Sequence, residues 1–210
     1  MKIMGFCRFV SALAVCLSAG SIAPAQVIEF ESGGLKYQTL TKNGLTIMVA
    51  SLPSHVREFS ILQVAISNGS AISWVVKPED FTFHRQDGEV IQATPARTVV
   101  NSMIAKASRN DVIRLVTTYE SGLYGLRKFK STNGYEARRQ AAFAEVSSAK
   151  IKAAAAASAI ALVPTKLMPG QSTDGAVFWS TQGKPLGYGK LTVNAAGETF
   201  EFTPEPASHP

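Results

Sequence analysis

The sequence predicts a mostly β protein with an α insertion, an antiparallel two-sheet sandwich interrupted by a helical hairpin. Three observations predict it. β-prone runs divided by Asn-Gly and Asp-Gly pairs occupy the chain before Pro95. Apolar residues then recur at three- and four-residue steps, the period of a helix. Alternating β-prone runs return after Pro164. Neither β part is large enough to bury a core alone, so one sandwich built from both is the expectation. This divides the chain into a leader over 1–25, the first part of the sandwich over 26–96, a helical insertion over 97–163, the second part over 164–203 and a flexible tail over 204–210.

The leader reads as a secretory signal peptide. Lys2 and Arg8 supply a basic start, Phe9 to Leu17 an apolar run, and Ala23-Pro24-Ala25 a small-residue cleavage site. Both cysteines, Cys7 and Cys16, fall inside it, so the expected mature chain has neither disulfide nor thiol chemistry. An exported domain without disulfides fits a bacterial periplasm or an extracellular location near the bacterial envelope. A lipid anchor at Cys16 is the alternative, although Val15 stands where lipidation sites carry a small residue.

The first strands follow from local chemistry. Lys36 to Leu52 is two β-prone runs around Asn43-Gly44, a pair that supplies the positive φ angles of a tight hairpin. Phe59 to Ser67 follows as a more continuously apolar strand. Asn68-Gly69-Ser70 ends it, and Ile72 to Val76 is a further strand. Phe81 to Ala93 repeats the hairpin pattern, with Asp87-Gly88 at its tip.

In the insertion, Val112, Leu115, Val116, Tyr119 and Leu123 form an amphipathic stripe, with Ser108 and Asn110 as caps ahead of it. A glycine-containing connection follows, and Asn133 with Glu136 predicts a second helix from near Gly134. That helix ends in an alanine run. Ala153 to Val163 is eleven apolar residues, roughly 16 Å of helix and about half of a bilayer core, so no transmembrane span is expected in the mature chain. Ala142, Val146, Ala149, Ala153, Ala156, Ile160 and Val163 follow heptad-like spacing. Pairing of this small-residue seam with the Val112–Leu123 stripe gives an antiparallel hairpin; self-association through it is the alternative.

After Pro164, Gly175 to Ser180, Gly187 to Asn194 and Glu198 to Thr203 read as strands, the last two joined through Ala195-Ala196-Gly197. Leu167 to Trp179 (LMPGQSTDGAVFW) carries a Leu-x-Pro-Gly turn followed by Gly-x-Val-Phe, and Val64 to Phe81 a strand, an Asn-containing turn and a strand. Together these resemble bacterial secreted immunoglobulin-like β-sandwich domains over some 40 residues. The resemblance implies a fold and no activity, and the helical block departs from the plain seven-strand pattern.

Charge is uneven. From Arg97 to Leu162 there are eleven Lys/Arg against four acids, a net +7, while the rest of the mature chain has eight against eleven, or −3. Arg127, Lys128, Lys130, Arg138 and Arg139 are the basic group singled out as an interaction surface, with Tyr119, Tyr124, Phe129 and Tyr135 interleaved. That composition also occurs in nucleic-acid patches. Export makes nucleic acid an unsuitable partner and favours an envelope protein or an anionic envelope component.

The remaining candidate chemistry is weak. Gly170 to Gly175 has aspartate at 174 where a nucleophile elbow around Ser172 needs glycine, and a strand follows where that motif needs a helix. His55, His84 and His209 have no metal-ligand spacing. Adjacent Glu79 and Asp80 point apart in an extended chain and read as a polar turn after Pro78. Catalytic, cofactor and metal residues are therefore expected to be absent, and the expected function is a non-enzymatic binding module of the envelope. The alternative is a periplasmic hydrolase acting on an envelope polymer.

Overall fold

The structure, a computed structural model, describes residues 26–52, 55–125, 137 and 148–206. The leader, the connection after the first helical stripe and the expected helix start near Gly134 lie outside those residues. The described fold is mostly antiparallel β-sheet with three helices.

The chain begins with β1 (Ile28–Ser32), a strand that the sequence reading did not anticipate. It pairs with β2 (Leu35–Lys42), which turns through Asn43 (φ 48°) and Gly44 (φ 74°) into β3 (Leu45–Ser51). These left-handed angles are the ones an Asn-Gly hairpin supplies. Next come β4 (Phe59–Asn68), the short β5 (Trp74–Val76) and a 3₁₀ turn over Pro78–Asp80. A second hairpin follows, formed by β6 (Phe81–Arg85) and β7 (Val90–Gln92).

The helical block contains α1 (Ala96–Lys106), α2 (Arg109–Gly125) and α3 (Ala149–Ile160). Then β8 (Thr165–Leu167), β9 (Ser172–Ser180), β10 (Gly189–Ala195) and β11 (Glu198–Phe202) close the chain. A five-stranded sheet has the order β1-β2-β3-β4-β9, a four-stranded sheet β11-β10-β6-β7, and β5 pairs with β8. Strands from before and after the helical block thus share every sheet.

Strand parity divides the core in two. From β3, β4 and β9, Leu45, Ile47, Val49, Leu62, Val64, Ile66, Val177 and Trp179 face the four-stranded sheet, meeting Phe81, Phe83, Leu191, Val193, Phe200 and Phe202. The opposite parity, including Ala50, Phe59, Ile61, Ala65, Ala176 and Phe178, faces the helices. The five-stranded sheet is consequently a middle layer, and β4 and β9 are its doubly covered strands. Phe83 meets Trp179 edge-on at 6.5 Å in one core, and Phe59 meets Phe178 at 6.1 Å in the other.

The helices therefore lie flat on the sandwich. α1, absent from the sequence reading, supplies Val99 and Met103 to that core, and α2 supplies Leu115 and Tyr119. The α3 helix packs against both. Its buried residues are Ala153, Ala154, Ala156, Ala157, Ala159 and Ile160, a broader surface than one heptad seam. Alanine suits this position because three neighbouring surfaces must approach one helix closely. The helix ends at Ile160, earlier than the apolar run. Ala161 bridges to Ala176, and Leu162 N–H donates to the Ala176 carbonyl at 2.9 Å. On the way into the block, Thr94 N–H donates to the Phe178 carbonyl at 2.7 Å. Both ends of the insertion are thus stitched to the outer edge of β9, which satisfies edge groups that would otherwise need water.

Two side-chain features pin the layers. Gly175 faces Leu162 so closely that a Cβ would stand 2.7 Å from its backbone nitrogen and Cα. At the C-terminal end of β4, the buried Asn68 side chain donates to the Ile72 and Leu167 carbonyls at 2.8 and 3.0 Å and accepts from Ser70. The Asn-Gly-Ser terminator foreseen in the sequence is thus also the tie between the ends of β5 and β8. Among the described residues, no helix is long and apolar enough to cross a membrane.

Candidate functional site

The five basic residues singled out from the sequence, Arg127, Lys128, Lys130, Arg138 and Arg139, lie outside the described residues, as does His209. Ser172 opens β9 as a strand residue, without an elbow-and-helix setting. His55 stands in the β3–β4 connection, and His84 Nε2 shares a 2.9 Å hydrogen bond with the Thr192 hydroxyl across two strands. No group of three or more metal-ligating side chains occurs among the described residues.

A shallow cleft of about 510 Å³ lies between Trp74, Lys77 and Asp80 on one side and the β10–β11 turn on the other. Its carboxylates have local tasks. Asp80 accepts the Lys77 backbone N–H at 2.9 Å, and burial, partly offset by that bond and the Lys77 charge, raises its carboxyl above the ordinary range. Glu198 accepts from the Asn43 amide at 3.0 Å. Glu79 and Asp80 belong to the polar turn after Pro78, as their spacing indicates.

Beneath α3, polar side chains stand on the helix-facing side of β4 and β9. Tyr119 donates its hydroxyl to Asp174, and Gln63 is buried on the adjacent strand with no partner for its amide among the described residues. These groups face the core and have no described path to solvent.

The third cluster lies where α1, α2 and α3 meet, and it is built from a partly buried ionic knot outward. α2 begins with Ser108 as its cap. The Asp111 carboxylate accepts the Ser108 backbone N–H at 2.7 Å and its hydroxyl at 2.9 Å, the carboxylate arm of a capping box. Asn110, the other foreseen cap, lies inside the helix. Arg57, from the β3–β4 connection, reaches Asp111 at 3.3 Å and Glu58 at 3.6 Å. Glu58 also accepts the Ser102 hydroxyl at 2.5 Å and sits 3.8 Å from Lys106. Burial pushes both carboxyls up. At Asp111 the Ser108 bonds and Arg57 outweigh it, and at Glu58 Ser102, the backbone amide, Lys106 and Arg57 do so, leaving both below the usual carboxylate range.

Outside this knot the corner has a different character. Ile104 in the last turn of α1, Ile113 early in α2 and Ile151 in the first turn of α3 are 51, 55 and 53% exposed. Lys150 Nζ donates to the Ala105 carbonyl at 2.9 Å, which sets the start of α3 beside the end of α1. That contact also places a cation against the carbonyl end of α1, where the helix dipole favours it. Lys106, Arg109, Arg114 and Lys150 are exposed around the three isoleucines, and Lys152 is half-buried. The nearby acids, Glu58 and Asp111, are turned inward into the knot. The result is an exposed surface of positive charge and aliphatic side chains.

The sequence count of basic residues over 97–162 included these cations, yet it attached significance to a different group. The missed signal was phase. Ile104, Ile113 and Ile151 are out of register with the buried positions of their helices, where amphipathic helices ordinarily carry polar residues.

Comparison with known proteins finds no matching family model, no matching curated protein and no matching solved structure.

Proposed function

We propose that this chain is an exported, non-enzymatic protein in which an immunoglobulin-like sandwich carries a helical layer that docks on an anionic component of the bacterial envelope. The observation that carries this reading is the α1–α2–α3 corner, where three half-exposed isoleucines stand among Lys106, Arg109, Arg114 and Lys150. A surface with one sign of charge raises the local concentration of oppositely charged partners. Export is read from the leader. The sandwich reading draws support from the two facing sheets and from the Pro169-Gly170 turn that leads into β9.

The experiment is retention on isolated bacterial envelopes at low salt. Reversal of Lys106, Arg109, Arg114 and Lys150 to glutamate should lower retention by roughly tenfold or more, as expected for loss of several phosphate-strength contacts. A parallel reversal of Arg127, Lys128, Arg138 and Arg139 measures the contribution of the connection between the helices. Undiminished retention of both variants would overturn the proposal.

A further inference from the structure

We infer that the α1–α2–α3 corner is a site for the anionic phospholipid bilayer surface, with Ile104, Ile113 and Ile151 entering the headgroup layer and the surrounding cations meeting lipid phosphates. The inference rests on the docking reading above and names its partner. Charge alone would fit any polyanion, so the isoleucines decide. Each is more than half exposed, and they come from three different helices that converge at one end of the layer. A soluble polyanion offers nothing apolar for them to enter. A bilayer offers acyl boundary directly beneath a layer of phosphates, and surface-bound helices combine apolar insertion with Lys/Arg pairing in this way.

The knot behind the corner supports the same assignment. Arg57, Asp111, Glu58, Ser102 and Ser108 hold the ends of α1 and α2 together from the inside. The exposed side chains are therefore carried on a preorganised support, so binding need not also order the backbone beneath them. The two acids nearest the surface are spent on that support and do not oppose an anionic layer. The corner has no need of a transmembrane helix, and none of the described helices can span a bilayer.

The test is sedimentation of the purified protein with vesicles of phosphatidylglycerol and phosphatidylethanolamine, with phosphatidylcholine vesicles as the neutral control. Retention on a dextran sulfate column is measured beside it. The probes are wild type, the triple variant Ile104→Ser, Ile113→Ser, Ile151→Ser, and the charge variant Arg109→Glu, Arg114→Glu, Lys150→Glu. All carry the same N-terminus, so a leader contributes equally to each, and circular dichroism establishes that each is folded.

The expected result is binding to anionic vesicles only. The isoleucine variant should lose roughly tenfold or more in vesicle partitioning, while its retention on dextran sulfate stays at the wild-type level. The charge variant should lose both. Wild type retained on dextran sulfate but not on anionic vesicles overturns the lipid assignment and leaves the docking reading standing. Undiminished vesicle binding of the isoleucine variant also overturns the lipid assignment. Failure of wild type on both supports overturns the assignment and the reading together.

Discussion

Asp111 shows how one side chain joins local and tertiary structure. Its carboxylate caps α2 through Ser108 and pairs with Arg57, which comes from a connection more than fifty positions away. These bonds hold its pKa below the ordinary carboxylate value of about 4. A carboxyl lowered on folding contributes stability that is complete above its unfolded pKa. The contribution is lost as pH falls through the lower folded value. Asp111→Asn should therefore cost about 1.5–3 kcal/mol near neutral pH, the range for hydrogen bonds to charged groups. The difference from wild type should shrink toward zero in acid, where both side chains are neutral. Urea unfolding midpoints measured across that range check it; a pH-independent difference would contradict the assignment.

At the scale of elements, β9 is the organising strand. Its inner edge pairs with β4 along its whole length, and its outer edge receives Thr94 and Leu162 from the two ends of the helical block. This close approach requires a missing side chain at Gly175, because a Cβ there would meet backbone atoms of Leu162. The obstruction is main chain and cannot swing aside as a flexible side chain would. Gly175→Ala should destabilise the protein by about 1–3 kcal/mol, the usual cost of overpacking. The urea midpoint should fall, and hydrogen exchange at Leu162 should quicken more than at the β2–β3 hairpin. Equal acceleration at both places would show that the stitch is not where the strain is taken up. The neighbouring α3 helix follows the same rule, with alanines where three surfaces converge.

For the molecule as a whole, the helices share a core with the sheet and are sewn to its edge at both ends. The helical layer should not unfold separately from the sandwich. Far-UV helical ellipticity and tryptophan fluorescence, from Trp179 buried between the two sheets and Trp74 packed against the same core, should report one coincident transition in urea. Loss of helix before the fluorescence change would show a separable insertion. Much of this organisation was legible in the chain, because turns and periodicities are local. Asn43-Gly44 and Asp87-Gly88 mark hairpins through their own backbone preferences, Gly197 marks a third beside an Ala196 held at φ 55°, and Ser108 marks the start of α2. β1 escaped notice because all but its last residue is exposed, so its strand has no buried face to imprint a pattern. Helix α1 escaped because it contributes only Val99 and Met103 as fully buried positions, too few to establish a period.

By itself the sequence determined the succession of a β part, a helical block and a second β part, the main turn positions and the basic bias of the middle segment. Each depends on residues close together along the chain. Only the tertiary structure decided that the helices form a third layer, that Thr94 and Leu162 seal β9, and that Ile104, Ile113 and Ile151 converge among cations. Those outcomes rest on contacts between distant segments. Burial of one helix face fixes where its remaining face must point, and no local preference specifies which distant surface will cover it.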